Sequence, residues 1–253
     1  MSGHSKWHNI QKTKGAADAK RSAAFTKIAK EIIVAVKQGG SGDPANNSRL
    51  ATVIAKAKAA NMPNDNIQNA IKKATGELKS TSFESMQYEG YAGGGIGLVV
   101  SVLTDNKNRA AAEIGHIFKR NGSEFAARGS VSRNFERKGQ IVIEKAATDE
   151  DTLMGIVLDA GADDLESDEE GFTVSTTPSA FQDVMTALEK AGIATVSAEV
   201  EYVPTATKPL ADLEQVKKLL SFVSALEDNE DVQNVYHDAD IPDDVMEQAE
   251  DAE

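Results

Sequence analysis

The residues of this chain best suited to chemistry are cations. Lys6, Lys12, Lys14, Lys20, Arg21, Lys27 and Lys30 crowd its first 30 positions, with the only tryptophan, Trp7, among them. Lysines at such density neutralise phosphates and release their counterions. An indole on a polar stretch can stack on an unpaired base, or it can pack back on a neighbouring domain. Arg49, Lys56, Lys58, Lys72 and Lys73 extend the basic character to residue 73. The first 80 residues hold 14 Lys/Arg against 5 Asp/Glu, whereas residues 139–253 hold 5 against 29. The net charge of −13 therefore describes no part of the molecule. Solubility alone would account for lysines, but a module at +9 in an acidic chain fits a polyanion partner better. Arg21 and Arg49 are the only arginines in this part, which favours contact with phosphates over reading of base edges. The acid-rich remainder would repel a nucleic acid and suits a basic protein partner instead.

Other chemistries lack their residues. There are no cysteines, which removes thiolate metal sites, disulfides and a thiol nucleophile. His4 and His8 have the i, i+4 spacing of a helical metal pair but no third ligand and no helical pattern around them. His116, between Ile114 and Ile117, reads as a packed or half-buried residue. No phosphate-binding G-x-x-x-x-G-K-[ST] run occurs, and "AGGGIG" leads into a strand, so it reads as a hairpin loop and not as a dinucleotide fingerprint. No nucleophile, base and oxyanion site assemble, so the expectation is a non-enzyme without cofactor or metal. No apolar run reaches the roughly 18–20 residues of a membrane span, and no apolar segment follows the basic N-terminus as in a secretory signal. The expected setting is the cytoplasm, with no membrane partner.

The elements that must position these cations follow from periodicity. Phe25, Ile28, Ile32 and Val36 form one helical face, with Lys20, Lys27, Lys30 and Lys37 opposite. Two more helices, near 47–60 and 64–75, complete a basic arm and three-helix domain over residues 1–80. Next come two strands, a helix with Asn108 as its N-cap, and a strand near 130–137. Residues 139–204 read as β-α-β-β-α-β, the split ferredoxin-like order. A final helix and strand fall at 210–237. The expected fold is α+β in three domains: the helical one and two ferredoxin-like ones. Residues 139–204 are inserted into a discontinuous middle domain of 81–138 plus 205–240, and 241–253 is an acidic tail.

Several stretches resemble the YebC/PmpR family: "GHSKWHNIQKTKGAADAKRSAAFTKIAKEI", "NNSRLATVIAKAKAANMPNDNIQNAIKKATG", "YEGYAGGGIG" and "DNKNRAAAEIGHIFKRNG". The resemblance spans nearly the whole chain. It implies a helical N-terminal domain followed by two α+β domains, and DNA binding in transcriptional regulation. Related members, among them a mitochondrial translational activator, act at the ribosome, so an RNA-associated translation factor is the alternative. A protein-interaction module is a second alternative. The family's basic positions match Lys6, Lys14, Lys20, Arg21, Lys27, Arg49 and Arg109, and Lys73 and Lys107 fall where members often carry a basic residue. Gln11, Thr13 and Ala24 stand where many members are basic, and "SEFA" after Gly122 departs from the usual loop.

Lysine-dominated contact makes binding steep in salt and tolerant of sequence. Affinity is expected to fall by orders of magnitude between about 50 and 200 mM salt, and unrelated competitor DNA is expected to displace a bound probe. Salt-insensitive binding to a single operator would contradict this.

Overall fold

The computed structural model describes residues 18–76 and 82–250, and the side chains of 22–76 and 82–249. Its helices are α1 (Asp18–Gly39), α2 (Ser48–Ala59), α3 (Asn64–Thr75), α4 (Lys107–Arg120), α5 (Glu150–Asp159), α6 (Phe181–Lys190), α7 (Leu213–Glu227) and α8 (Asp243–Glu250). Its strands are β1 (Glu84–Tyr91), β2 (Gly97–Thr104), β3 (Phe135–Glu144), β4 (Ala162–Ser167), β5 (Gly171–Thr176), β6 (Ser197–Pro204), β7 (Lys208–Pro209), β8 (Val232–His237) and β9 (Ala239–Asp240). The fold is mixed α+β, as the sequence leads one to expect. The chain divides into two compact units. One comprises the described residues of Lys6–Ser80 and Arg137–Glu201, the other those of Thr81–Glu136 and Tyr202–Glu253.

In the first unit, α1 buries Ile28, Ile32, Ile33 and Val36 against α2 and α3. Asn47 fixes the turn between α1 and α2. Its buried side chain accepts from Leu50 N–H at 3.0 Å and donates to the carbonyls of Ala35 and Ser41 at 3.0 and 2.9 Å. That is an N-cap which also satisfies carbonyls of the preceding helix and turn. The second part of this unit is a sheet ordered β4-β5-β3-β6, covered by α5 and α6. This is the expected β-α-β-β-α-β chain order, with Ile141, Val174, Leu153 and Leu188 fully buried between the layers.

The other unit has the antiparallel sheet β1-β2-β8, with α4 and α7 packed on one face through Phe118 and Phe222, whose rings meet edge to face at 5.1 Å. β1 and β2 form a hairpin through Gly93–Gly95, so the glycine run is a turn. Three expectations need correction here. The strand placed near 130–137 and the one beginning at 139 are one strand, β3, so this sheet has three strands where four were expected. The stretch set aside as an acidic tail contains α8, whose Met246 and Ala249 are buried in the same core as Phe222. The cap of α4 is Asn106, accepting from Arg109 N–H at 3.1 Å, and not Asn108.

A buried carboxylate organises the loop at 121–134. Glu89, 3 % exposed, accepts from Gly129 N–H at 2.7 Å and Ser132 Oγ at 2.9 Å on one oxygen. Its other oxygen accepts from Val131 N–H at 2.8 Å and Ser132 N–H at 2.9 Å. The loop and α4 both run so close to β1 that a Cβ on Gly90 would sit 2.9 Å from the Glu124 carbonyl of the loop and 2.2 Å from Phe118 Cε1 of the helix. Burial by itself would raise the Glu89 pKa, but the four donors outweigh it and hold it below the ordinary value.

A depressed carboxylate contributes stability above its unfolded pKa, about 4.3 for glutamate, and loses it as pH falls through the folded value. Glu89→Gln is expected to cost about 1–3 kcal/mol at neutral pH, read from urea midpoints. That gap should close as pH drops below about 4. A gap unchanged in acid would show that the charge on Glu89 is not what the loop requires.

Candidate nucleic-acid interface

The cations singled out by sequence divide into distinct groups in the structure. Lys6, Trp7, Lys12 and Lys14 lie outside the described residues, as do His4 and His8. Lys20 and Arg21 fall on the first turn of α1, with side chains outside the description. Lys27 and Lys30 are half-buried on α1 and both make electrostatic or hydrogen-bonding contacts.

Three of the candidates are engaged with carboxylates. The Lys56 ammonium on α2 lies 3.1 Å from Glu31 on α1 and 3.2 Å from Glu199 on β6. Burial alone would lower its pKa, but the two carboxylates outweigh that and push it up. Its contribution is therefore complete below the ordinary lysine pKa and fades only as pH rises through the higher folded value. Lys56 is a fold-holding cation: it ties the helical module to the β6 edge of its own unit. Arg109 donates to Asp231, whose side chain is 2 % exposed, and to Asp105, each at 2.8 Å. The same Asp231 oxygen accepts from Thr104 Oγ1 at 3.0 Å. Arg109 thus neutralises a buried carboxylate. Lys107, exposed at the start of α4, pairs with Glu84 at 2.5 Å. Arg49 is exposed and donates to Gln38 Oε1.

Lys73 behaves otherwise. It is exposed on the last turn of α3 and has no carboxylate partner among the described residues. The same holds for Lys72 and Lys58, whose rank above Lys56 sequence alone could not assign. Lys73 sits on the rim of an open groove of about 310 Å³ between α1 and α3. Asn66 and Asn69 share that rim from α3, Ser22, Phe25 and Thr26 line it from α1, and Ala29, Ile33, Met62 and Ala70 form its floor. The i, i+3, i+7 spacing of Asn66, Asn69 and Lys73 places two amides and an ammonium in one line. Such a line can donate several hydrogen bonds to phosphate oxygens or base edges. The run "NDNIQNAIKK" contains this signal, but its amides read equally as ordinary helix surface. His116 proves to be exposed on α4 and not packed in the core.

The model of the TACO1/YebC N-terminal domain matches residues 5–77, and the model of the TACO1/YebC second and third domains matches residues 83–239. A protein named "Probable transcriptional regulatory protein" in Clostridium botulinum (strain Okra) is 53 % identical over 244 residues, covering 96 % of this chain and 98 % of its own length. One of the same description in Treponema pallidum (strain Nichols) is 50 % identical over 246 residues, covering 97 % of this chain and all of its own. A crystal structure of a conserved hypothetical protein from Aquifex aeolicus superposes with a TM-score of 0.80 at 40 % identity, over 89 % of this chain and 93 % of that one.

The division between engaged and unengaged cations is testable with one substitution. Lys56→Met leaves Glu31 and Glu199 unpaired and is expected to cost about 1–3 kcal/mol, below the figure for a fully buried pair because both carboxylates keep some solvent. Affinity for nucleic acid should stay within about twofold, a shift of under half a kcal/mol. A large loss of affinity with unchanged stability would return Lys56 to the interface.

Proposed function

The chain belongs to the TACO1/YebC family, and from that premise we propose that it is a non-enzymatic, DNA-binding transcriptional regulatory protein of the cytoplasm. It holds the phosphate backbone on the α1–α3 face of its helical module. The observation that carries this reading is the α3 rim: Lys73 beside Asn66 and Asn69, with no carboxylate partner among the described residues. The bland role for Lys72 and Lys73 is to complement the negative C-terminal end of the α3 dipole, worth about 0.3–1 kcal/mol. That role does not call for the amides or the open groove next to them. The relatives named as transcriptional regulators support the same reading. Residues 139–253, with 29 acids against 5 bases, confine contact to the basic part by repulsion. Phosphate contact from lysines positions the protein on a duplex without naming a sequence.

Mobility shift of duplex DNA by the full chain tests this. Lys72→Glu/Lys73→Glu reverses two exposed charges in the last turn of α3, which is expected to cost on the order of 1 kcal/mol of stability through the helix dipole and to leave the fold intact. Duplex affinity should fall by tenfold or more, as loss of about 1.4 kcal/mol or more of phosphate contact implies. Duplex binding equal to wild type at low salt would refute the assignment.

A further inference from the structure

Among the described residues, four large hydrophobic side chains stand exposed, and two of them occupy one place: Tyr91 at 42 % and Phe125 at 40 %. Both lie where the loop at 121–134 runs back along the end of β1, Phe125 opposite Gly90 and Tyr91 the next residue of the strand. Ser123 Oγ donates to the Tyr91 carbonyl at 2.6 Å, Phe125 bridges to Gly90, and Tyr91 Oη donates to the Ser130 carbonyl at 3.2 Å. The Phe125 ring is not loose. It stacks on Tyr88 with centroids 4.6 Å apart and planes 11° from parallel, and Phe118 meets it edge to face at 5.0 Å.

The same segment gathers cations of a different kind from those of the helical module. Four of the chain's seven arginines lie within residues 120–137. Lys119, Arg120, Arg128 and Arg133 are all exposed, and none has a carboxylate partner among the described residues. Glu124 is the one acid between residues 119 and 135. Arg128 lies between the Phe125 and Ser130 anchors, and Arg133 directly follows Ser132, which Glu89 holds through two hydrogen bonds. In a chain this acidic, cations meant only for solubility would be expected among acids. Here they sit within nine residues of Phe125 along the chain, on a segment that Glu89 and β1 hold in place, so little ordering entropy remains to oppose binding.

We propose that this surface is a second nucleic-acid site, and that it takes a single strand. Unpaired bases stack on Phe125 and Tyr91, and Arg120, Arg128 and Arg133 hold the phosphates that flank them. Base–aromatic stacking needs faces that a duplex hides between its pairs, and a guanidinium matches phosphate by two parallel hydrogen bonds. This goes beyond duplex contact by the helical module and rests on different residues. The shared chemistry is a phosphodiester strand with exposed bases, whether of RNA or of melted DNA.

Fluorescence anisotropy with the full chain tests it, using labelled oligo(U) and oligo(dT) of about 12 nucleotides, within the ~4–16 that single-stranded sites cover, and a duplex of equal length. Arg128→Glu/Arg133→Glu touches no packed side chain and should leave the melting temperature unchanged. Phe125→Ala removes the stacking ring. Both are expected to weaken single-strand binding about tenfold and to leave duplex binding unchanged, whereas Lys72→Glu/Lys73→Glu should show the opposite pattern. A larger loss with oligo(U) assigns the site to RNA, and a larger loss with oligo(dT) assigns it to melted DNA. Single-strand affinity within twofold of wild type in the arginine variant would overturn the proposal, as would equal losses for single strand and duplex.

Discussion

If a chain with 40 carboxylates is to bind a polyanion, as we propose, its binding cations must be kept from its own acids. The structure meets that constraint locally. The helical module has few acids, and where one is half-buried, as Glu31 is, a particular lysine is committed to it. Lys56 takes on Glu31 and Glu199 together, Arg109 takes on Asp231, and Lys208 takes on the buried Asp238 at 3.1 Å. Each is an ion pair that satisfies a carboxylate with limited access to water. Exposed cations such as Lys58, Lys72 and Lys73 have no carboxylate partner among the described residues, and these are the ones the proposed function assigns to phosphate.

The second requirement is that the surfaces presented be stiff. Asn47 holds the α1–α2 corner with three hydrogen bonds, which fixes α1 as one wall of the groove that α3 completes. Glu89 does the same for the loop at 121–134, supplying the acceptors that four loop donors would otherwise seek in water. In both places a single buried polar side chain converts a connecting segment into a fixed surface. A rigid wall loses little entropy when a strand settles against it.

Much of this architecture was legible because it rests on periodicity. The spacing of Ile28, Ile32 and Val36 marks α1, and the strand–helix order of residues 139–204 is that of the β4-β5-β3-β6 sheet. The misses have physical causes. Glu136, Arg137 and Lys138 interrupt the apolar alternation of β3, so one strand read as two. The apolar positions of α8, Met246 and Ala249, are spaced by three but diluted by acids, so a packed helix read as a tail. In "DNKN" either asparagine can cap, and only the backbone extended at residue 106 decides between them. The site was harder still. Residue type marks Lys56 and Lys73 identically, because a partner on another element carries no local signal. Tyr91 fell in a stretch read as a strand and Phe125 carried no reading, since exposure of an aromatic ring depends on how a loop is laid down.

The most direct test of the account is lysine reactivity in the full chain, with and without duplex DNA, read residue by residue as acetylation by mass spectrometry. Lys58, Lys72 and Lys73 should be modified readily in the free protein and protected in the complex. Lys56 should be slow in both states because Glu31 and Glu199 hold it, and Lys145, Lys190 and Lys217 should be unchanged by DNA. Protection centred on residues 139–253, or free reactivity of Lys72 and Lys73 in a saturated complex, would contradict the claim that the fold reserves its unpaired cations for phosphate.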